Sequence, residues 1–338
     1  MTPEDLFVER LCRSLPPDGR VVLGPGDDAA LVRCDAGEIV VTTDMLVEGE
    51  DFLPGEEPRR LGRRALAVNL SDLAAMGARP DFFLLTIGFP PERGEAYPLE
   101  IARGALSRAD PFGASLVGGD LSGSPATIVS VALWGRPAGR PLRRAGGRPG
   151  DLLFLSGWPG RAAAGLRLAV AAARRESAPP RGPRPALAPE HEKELLAAYH
   201  DPEPRVSLGL ALAAGGLASA AIDVSDGLGL DASRLARASG ARAVIETEKV
   251  PISPALAAAA REMREDALEL AFSGGDDYEL LFSAPPETLA LLEAGDSGWG
   301  VPVSRIGRLE PGEGAVAVGP SGTRDIATSG WDHFRRRA

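Results

Sequence analysis

The sequence predicts two domains of α/β or α+β class, and three observations carry that expectation. The chain has 338 residues, beyond the roughly 250 to 300 at which a single apolar core stops growing. Strand-like and helix-like patterns alternate through both halves. Between the halves, RPLRRAGGRPGD (140–151) concentrates Gly, Pro and Arg, the composition of an exposed interdomain segment. The expected domains are residues 1–140 and 150–338.

Thr2 ahead of Pro3, Glu4 and Asp5 reads as a helix N-cap, with Leu6, Phe7, Leu11 and Leu15 at helical spacing up to Pro16-Pro17. Val21–Leu23, Ala29–Arg33 and Glu38–Thr43 then read as strands punctuated by Gly and Asp. From Pro58 a long helix, RRLGRRALAVNLSDLAAMG, is stopped by Gly77 and by Pro80 beyond it. Strands are expected at 82–89 and 127–135, with a helix over YPLEIARGALSRAD between them. In the second half DLLFLSG reads as a strand, Arg161–Arg175 as an Ala-rich helix, and SAPPRGPRPALAP (177–189) as a Pro-rich surface loop. AAIDVSDGLGLDASRLARAS and LELAFSGGDDYELLFSA repeat the alternation before the closing GWDHF.

With 44% hydrophobic and 25% charged residues the chain reads as globular. A formal charge of −10 argues against nucleic acid as a partner, since that affinity rests on Lys and Arg neutralising phosphates. Lys193 and Lys249 are the only lysines, so there is no Walker-type phosphate loop and any nucleotide must be held another way. Cys12 and Cys34 are too few for a disulfide framework or a Cys-based zinc site, and His191, His200 and His333 are far apart. The acidic, amphipathic N-terminus does not read as a signal peptide. No apolar run approaches the roughly 18 residues that span a bilayer, so a cytoplasmic protein with no membrane partner is expected.

Carboxylates carry the functional signal. GPGDDAAL places Asp27 and Asp28 behind glycines and ahead of an apolar run. An Asx-rich turn is one reading, and the echo SGGDDYELLF around Asp276 and Asp277 argues for another. Asp44 follows Thr42 and Thr43 in IVVTTD, hard oxygen donors at a strand exit of the kind that bind magnesium. Asp72 lies among Ala65, Val68, Leu70, Leu73 and Met76 on a helix apolar on most sides, where an unpaired carboxylate costs several kcal/mol. Its partner is then a metal or an arginine, Arg63 and Arg64 being available. Asp120 follows Gly118-Gly119 at the end of ASLV. DVSDG sets Asp223 and Asp226 around Ser225, before a helix that Ser225 or Asp226 would cap. So many acids facing one cleft repel unless divalent cations sit among them. A multi-magnesium nucleotide site follows, with the metals on ATP phosphates and arginines in place of a P-loop lysine.

GPGDDAAL, VTTDMLVEG, AVNLSDLAAMGARP, GGD, DVSDGL, GGDDYELLF and GWDHF, in this order and spacing, resemble thiamine-monophosphate kinase of the PurM-like ATP-dependent superfamily. The likeness runs from about Leu6 to Phe334, and VNLSDLAAMGA is a highly specific run. The resemblance implies a PurM-like two-domain fold: an N-terminal mixed sheet with helices that dimerises, an α+β C-terminal domain, and the active site in the cleft between them. It implies direct phosphoryl transfer from ATP to thiamine monophosphate in a homodimer, with several Mg2+ ions and no covalent catalytic residue. No general base is required, because the attacking phosphate oxygen is already ionised near neutral pH.

Carried over by motif position, Asp27, Thr42, Thr43, Asp44, Asp72, Asp120, Asp223 and Asp226 would hold magnesium. Gly119, Asp120, Ser225 and Arg144, of the Arg143-Arg144 pair, would contact ATP. Asp276 and Trp331 would lie on the thiamine side. One position departs from the family: LVEGVHF is replaced by LVEGEDF. Asp51 therefore stands where the family has a substrate-touching histidine, and would pair with the cationic thiazolium or the aminopyrimidine.

Two other readings compete. Another PurM-like ATP-dependent kinase or ligase, acting on a different small phosphorylated substrate, would lean on a Gly-rich N-terminal segment or a catalytic Cys or Lys; neither is apparent before Leu15, where Cys12 reads as an inert thiol. A non-catalytic acidic Ca2+-binding protein predicts 12-residue DxDxDG loops, which are absent.

Overall fold

β1 (Val21–Leu23), β2 (Ala30–Cys34) and β3 (Gly37–Val47) form an antiparallel meander, in which Leu31 and Val40 turn into the core. With β4 (Ala78–Phe89), β5 (Ser115–Gly123) and β6 (Ile128–Pro137) they form a six-stranded sheet in the order β1-β2-β3-β6-β4-β5. A second sheet holds β7 (Leu152–Ser156), β8 (Ala220–Val224), β9 (Arg242–Glu246), β10 (Glu279–Ala284), β11 (Val303–Glu310), β12 (Ala315–Gly319) and β13 (Gly322–Asp325), ordered β13-β12-β9-β11-β7-β10-β8. Among the paired strands only β4–β5 and β9–β12 run parallel, so the class is α+β with two mixed sheets. These coordinates come from a computed structural model that describes residues 19–332 apart from 25, 36, 178–186 and 295–297, together with residues 2, 3, 5, 6, 9 and 13. Cys12, His333, Phe334 and most of the Pro-rich stretch expected at 177–189 lie outside the described residues.

The helix α1 (Pro58–Ala75) joins the two sheets. Glu57 caps it by accepting from the Arg59 and Arg60 amides, and Pro58 occupies its first turn, where the missing N–H is not needed. It stops where the sequence said, at Gly77 with φ +63, and a Cβ there would come within 2.3 Å of the Ala213 side chain. On one side α1 meets α2 (Ala96–Ala109) through a pair of glycines. A Cβ on Gly62 would stand 1.8 Å from the Ile101 carbonyl oxygen, and one on Gly104 would stand 1.9 Å from that of Arg59. The apolar core around α1 includes Leu31, Val131 and Leu133 of the first sheet and Phe154, Leu280 and Phe282 of the second.

The remaining helices, α3 (Arg161–Ser177), α4 (Pro189–His200), α5 (Val206–Gly215), α6 (Leu228–Ala238), α7 (Pro254–Met263), α8 (Ala267–Ser273) and α9 (Leu289–Ala294), belong to the second half. Ion pairs reinforce the junction of the halves: Arg63 and Arg108 both meet Asp201, and Arg108 also meets Glu203. At the N-terminus the Thr2 hydroxyl accepts from the Asp5 amide and the Asp5 carboxylate from the Thr2 amide, the reciprocal bonds expected of a cap.

Three local expectations are corrected. Asp44 does not end its strand, because β3 continues to Val47 in register with β6. Asp120 lies inside β5, which runs on to Gly123 beside β4. The strand expected at 82–89 starts earlier, at Ala78, and takes in Pro80 at a register shift between Pro80 and Phe82 that spares the missing amide.

Candidate active site

Because α1 is buried on nearly all sides, its polar residues must find partners inside the protein. Those partners are the acids and strands that the sequence singled out. Asn69 accepts from the Asp44 amide at 3.0 Å and donates to the Ala65 carbonyl, one turn back. Ser71 donates to Asp223 Oδ2 at 2.7 Å, and Asp72 Oδ2 accepts from the Thr42 hydroxyl at 2.5 Å. Arg63 and Arg64 are not partners of Asp72: their guanidinium groups go to Asp201 and Asp276. The motif VNLSD is thus a set of struts, and Asn69 and Ser71 are site residues that sequence reasoning left without a role.

Carboxylate oxygens of Asp28, Asp72 and Asp223 lie within 4.8 Å of one another. Asp28 and not only Asp27 therefore belongs to the wall of the site. Arg144 secures both: its amide donates to both oxygens of Asp27, and its Nη2 lies 2.6 Å from Asp28 Oδ1. Asp28 Oδ2 is buried with no hydrogen-bond partner among the described residues. Burial raises the Asp27 carboxyl to about 6. It also lifts Asp44, and drives Asp72 and Asp223 well above the usual carboxylate range, with the neighbouring acids adding to the last two. Anionic oxygens this crowded call for cations, and an all-oxygen donor set with one unused buried lone pair fits magnesium.

The turn after β8 is organised by a residue that the sequence reading passed over. Asp231 Oδ2 accepts from the amides of Ser225, Asp226 and Gly227, at 3.0 to 3.1 Å. Neither Ser225 nor Asp226 caps α6; the helical acid reaches back and folds the DVSDG turn around itself. Burial, followed by the charge of Asp226, raises Asp231 to about 7. Asp226 is held by Arg234, which also meets Asp231 and Asp5.

A cavity of about 580 Å³ adjoins this turn, and Asp44, Asp72, Asp223 and Asp226 line it. Asp51, Asp276, Tyr199, Tyr278 and Trp331 also line it. Asp51 Oδ2 accepts from the Val47 amide at 2.7 Å. Trp331 donates its amide to the Asp226 carbonyl, which ties the segment around Trp331 to the acidic turn. The two acids of GGDDYE separate in role. Asp276 faces the cavity, whereas Asp277 is buried and accepts from the Gly160 and Ala162 amides at the start of α3.

Three sequence-predicted residues fall elsewhere. Strand alternation puts Thr42 and Asp44 on the α1 side of the sheet and Thr43 on the other, where its hydroxyl donates to the Val131 carbonyl. Gly119 and Asp120 sit on β5, three strand spacings and so about 14 Å from Asp44. Gly119 has a packing reason of its own, since a Cβ would come within 1.9 Å of the Leu85 carbonyl oxygen.

Fold and cleft together define an AIR synthase related protein. Residues 26–136 match the family described as AIR synthase related protein, N-terminal domain, and residues 148–319 match its C-terminal domain. Within that class the chain belongs to the thiamine-monophosphate kinase family. It is 35% identical to the enzyme of that name from Escherichia coli over 93% of this chain and 92% of the relative. Identity to that of Mycobacterium tuberculosis is 36%, over 98% and 91%. Among solved structures, AaThiL complexed with AMPPCP and TMP superposes with a TM-score of 0.80 at 30% identity, covering 98% of this chain and 95% of that one. The hydrogenase maturation protein HypE, at 16 to 20% identity, shares the fold alone.

Proposed function

We infer that this chain transfers a phosphoryl group from ATP to thiamine monophosphate, giving thiamine diphosphate and ADP. The observation that carries the reading is the convergence of acids from four separate segments: Asp44, Asp72 and Asp223 line the cavity, and Asp28 lies beside Asp72 and Asp223 with carboxylate oxygens within 4.8 Å. Family membership supplies the substrate class. Magnesium held by Asp27, Asp28, Thr42, Asp44, Asp72, Asp223 and Asp226 would neutralise phosphate oxygens and align them for in-line transfer. Thr43 would contribute through its main chain only.

The chain's own residues then position rather than react. Arg144 fixes Asp27 and Asp28, the amides tied by Asp231 fix Ser225 and Asp226, and Asn69 fixes the backbone of Asp44. Asp51, Asp276 and Trp331 are assigned to the thiazolium and aminopyrimidine end, where two carboxylates and an indole suit a cationic aromatic ligand. Gly119 and Asp120 are assigned to ATP by motif alone.

A homodimer is part of this reading. Met45, Phe82 and Leu84 are exposed on the face of the first sheet opposite α1, an apolar group of the kind that marks an association surface. The domain limits 1–140 and 150–338 are likewise proposed, supported by two sheets that share no strand. Incubating the purified protein with ATP, magnesium and thiamine monophosphate, and resolving products by chromatography, tests the function. Thiamine diphosphate is the expected product, and ATP binding without it overturns the substrate assignment.

A further inference from the structure

Helix α1 carries Arg64, Val68 and Asp72 at intervals of four residues, hence on one face. Val68 and Asp72 line the cavity. Arg64 lies behind its wall: the side chain is 2% exposed, Nη2 donates to Asp276 Oδ2 at 3.0 Å, and the guanidinium sits 4.7 Å from the centre of the Tyr199 ring. Its Nε and Nη1 have no hydrogen-bond partner among the described residues, so Asp276 is its one ionic partner among them.

Asp276 is held from both sides, because the Tyr278 hydroxyl donates to its Oδ1 at 3.0 Å. Asp276 and Tyr278 have φ of +67 and +50, a left-handed conformation that non-glycine residues keep only when their surroundings impose it. Two backbone bonds contribute, from the Asp276 amide to the Ser225 carbonyl and from the Tyr278 amide to the Val224 carbonyl. They anchor the loop to the strand end that bears Asp223.

We propose that Arg64 is a positioning residue for the acceptor: it fixes Asp276 as the carboxylate that receives the cationic, amine-bearing half of the substrate. Arg64 and Asp72 are eight residues apart, about 12 Å along the helix axis, so α1 spaces the carboxylate of that half from the acids of the phosphate end. The inference rests on the thiamine monophosphate reading and adds a specificity element to it. Arginine suits the task because its planar group donates to a carboxylate while stacking on an aromatic ring, which lysine does not reproduce.

The test compares Arg64→Lys, Arg64→Met, Asp276→Asn, and Arg64→Met combined with Asp276→Asn, by steady-state kinetics and by calorimetric titration of thiamine monophosphate and of AMPPCP. Arg64→Met is expected to weaken thiamine monophosphate about tenfold or more, as for loss of a charge-assisted bond. AMPPCP binding should stay within about twofold, Arg64→Lys should recover only part of the loss, and the double variant should be no weaker than Asp276→Asn alone. Equal weakening of both ligands, or an additive double variant, overturns the proposal. Tyr278→Phe, which removes only a hydroxyl, keeps the question answerable should the Arg64 variants fail to fold: unchanged affinity for thiamine monophosphate there also overturns it. Wild-type protein that binds thiamine monophosphate without turnover sinks the kinase reading and leaves this inference standing; absence of binding sinks both.

Discussion

Replacing Asp72 by Asn separates a cation site from an ordinary buried ion pair. Oxygens of Asp28, Asp72 and Asp223 lie within 4.8 Å of one another, and at an effective dielectric constant of about 20 each pair of like charges repels by about 3 kcal/mol. Protons relieve part of that repulsion in the cation-free chain, since burial already drives Asp72 and Asp223 well up. The net gain from Asp72→Asn without metal is then on the order of 1 to 2 kcal/mol, or about 1 to 3 °C in Tm for a chain of this length. The Asn oxygen still accepts from Thr42, so little else is lost. Magnesium at a hundredfold excess over its Kd should stabilise the wild type by about 2.7 kcal/mol, and the variant by far less. Thermal melts of both proteins, with EDTA and with magnesium, read these shifts. If Asp72 instead neutralised a buried arginine, the substitution would strand that cation and cost about 3 to 5 kcal/mol. A large loss of Tm without metal, or a magnesium shift that survives the substitution, refutes the reasoning.

Three further outcomes follow from the same geometry. The folded pKa of Asp27, about 6, stands above the ordinary aspartate value of 3.8, so without cations the folded chain keeps protons that the unfolded chain releases. Stability then falls as pH rises from about 4 through about 6, magnesium displaces those protons, and the Tm gain from magnesium should be larger at pH 8 than at pH 5; equal gains contradict this. Gly62→Ala places a Cβ 1.8 Å from a backbone carbonyl of α2 and should cost about 1 to 3 kcal/mol, read as a lower urea midpoint, whereas an unchanged midpoint would mean the helices do not meet there. Leu84→Lys on the exposed sheet face should convert a dimer to monomer in analytical ultracentrifugation, and a monomeric wild type would refute the dimer.

What the sequence made legible was local. The helix ending at Gly77, the strands around Asp44 and the helix cap at Thr2 follow from periodicity and from residues with one conformational use. The crowding of acids was legible too, because repeated Asp at the ends of apolar runs has few structural excuses. Partnerships across long separations were not. Arg64 and Asp276 are 212 positions apart, and nothing in either segment marks the other. Asp231 looked like any acid in the first turn of a helix, and only the folded turn reveals three amides pointing at it. Thr42 and Thr43 are indistinguishable in the sequence, and only a strand that runs past Asp44 puts them on opposite faces. The motif alone groups Asp120 with the cleft, and its distance from Asp44 follows only from the strand order.

The most direct measurement is the 31P NMR spectrum of the protein with ATP, magnesium and thiamine monophosphate. The account predicts that the thiamine monophosphate singlet is replaced by the coupled doublets of a diphosphate ester, in step with ADP and without release of inorganic phosphate. ADP accumulating with inorganic phosphate while the singlet stays intact would contradict it.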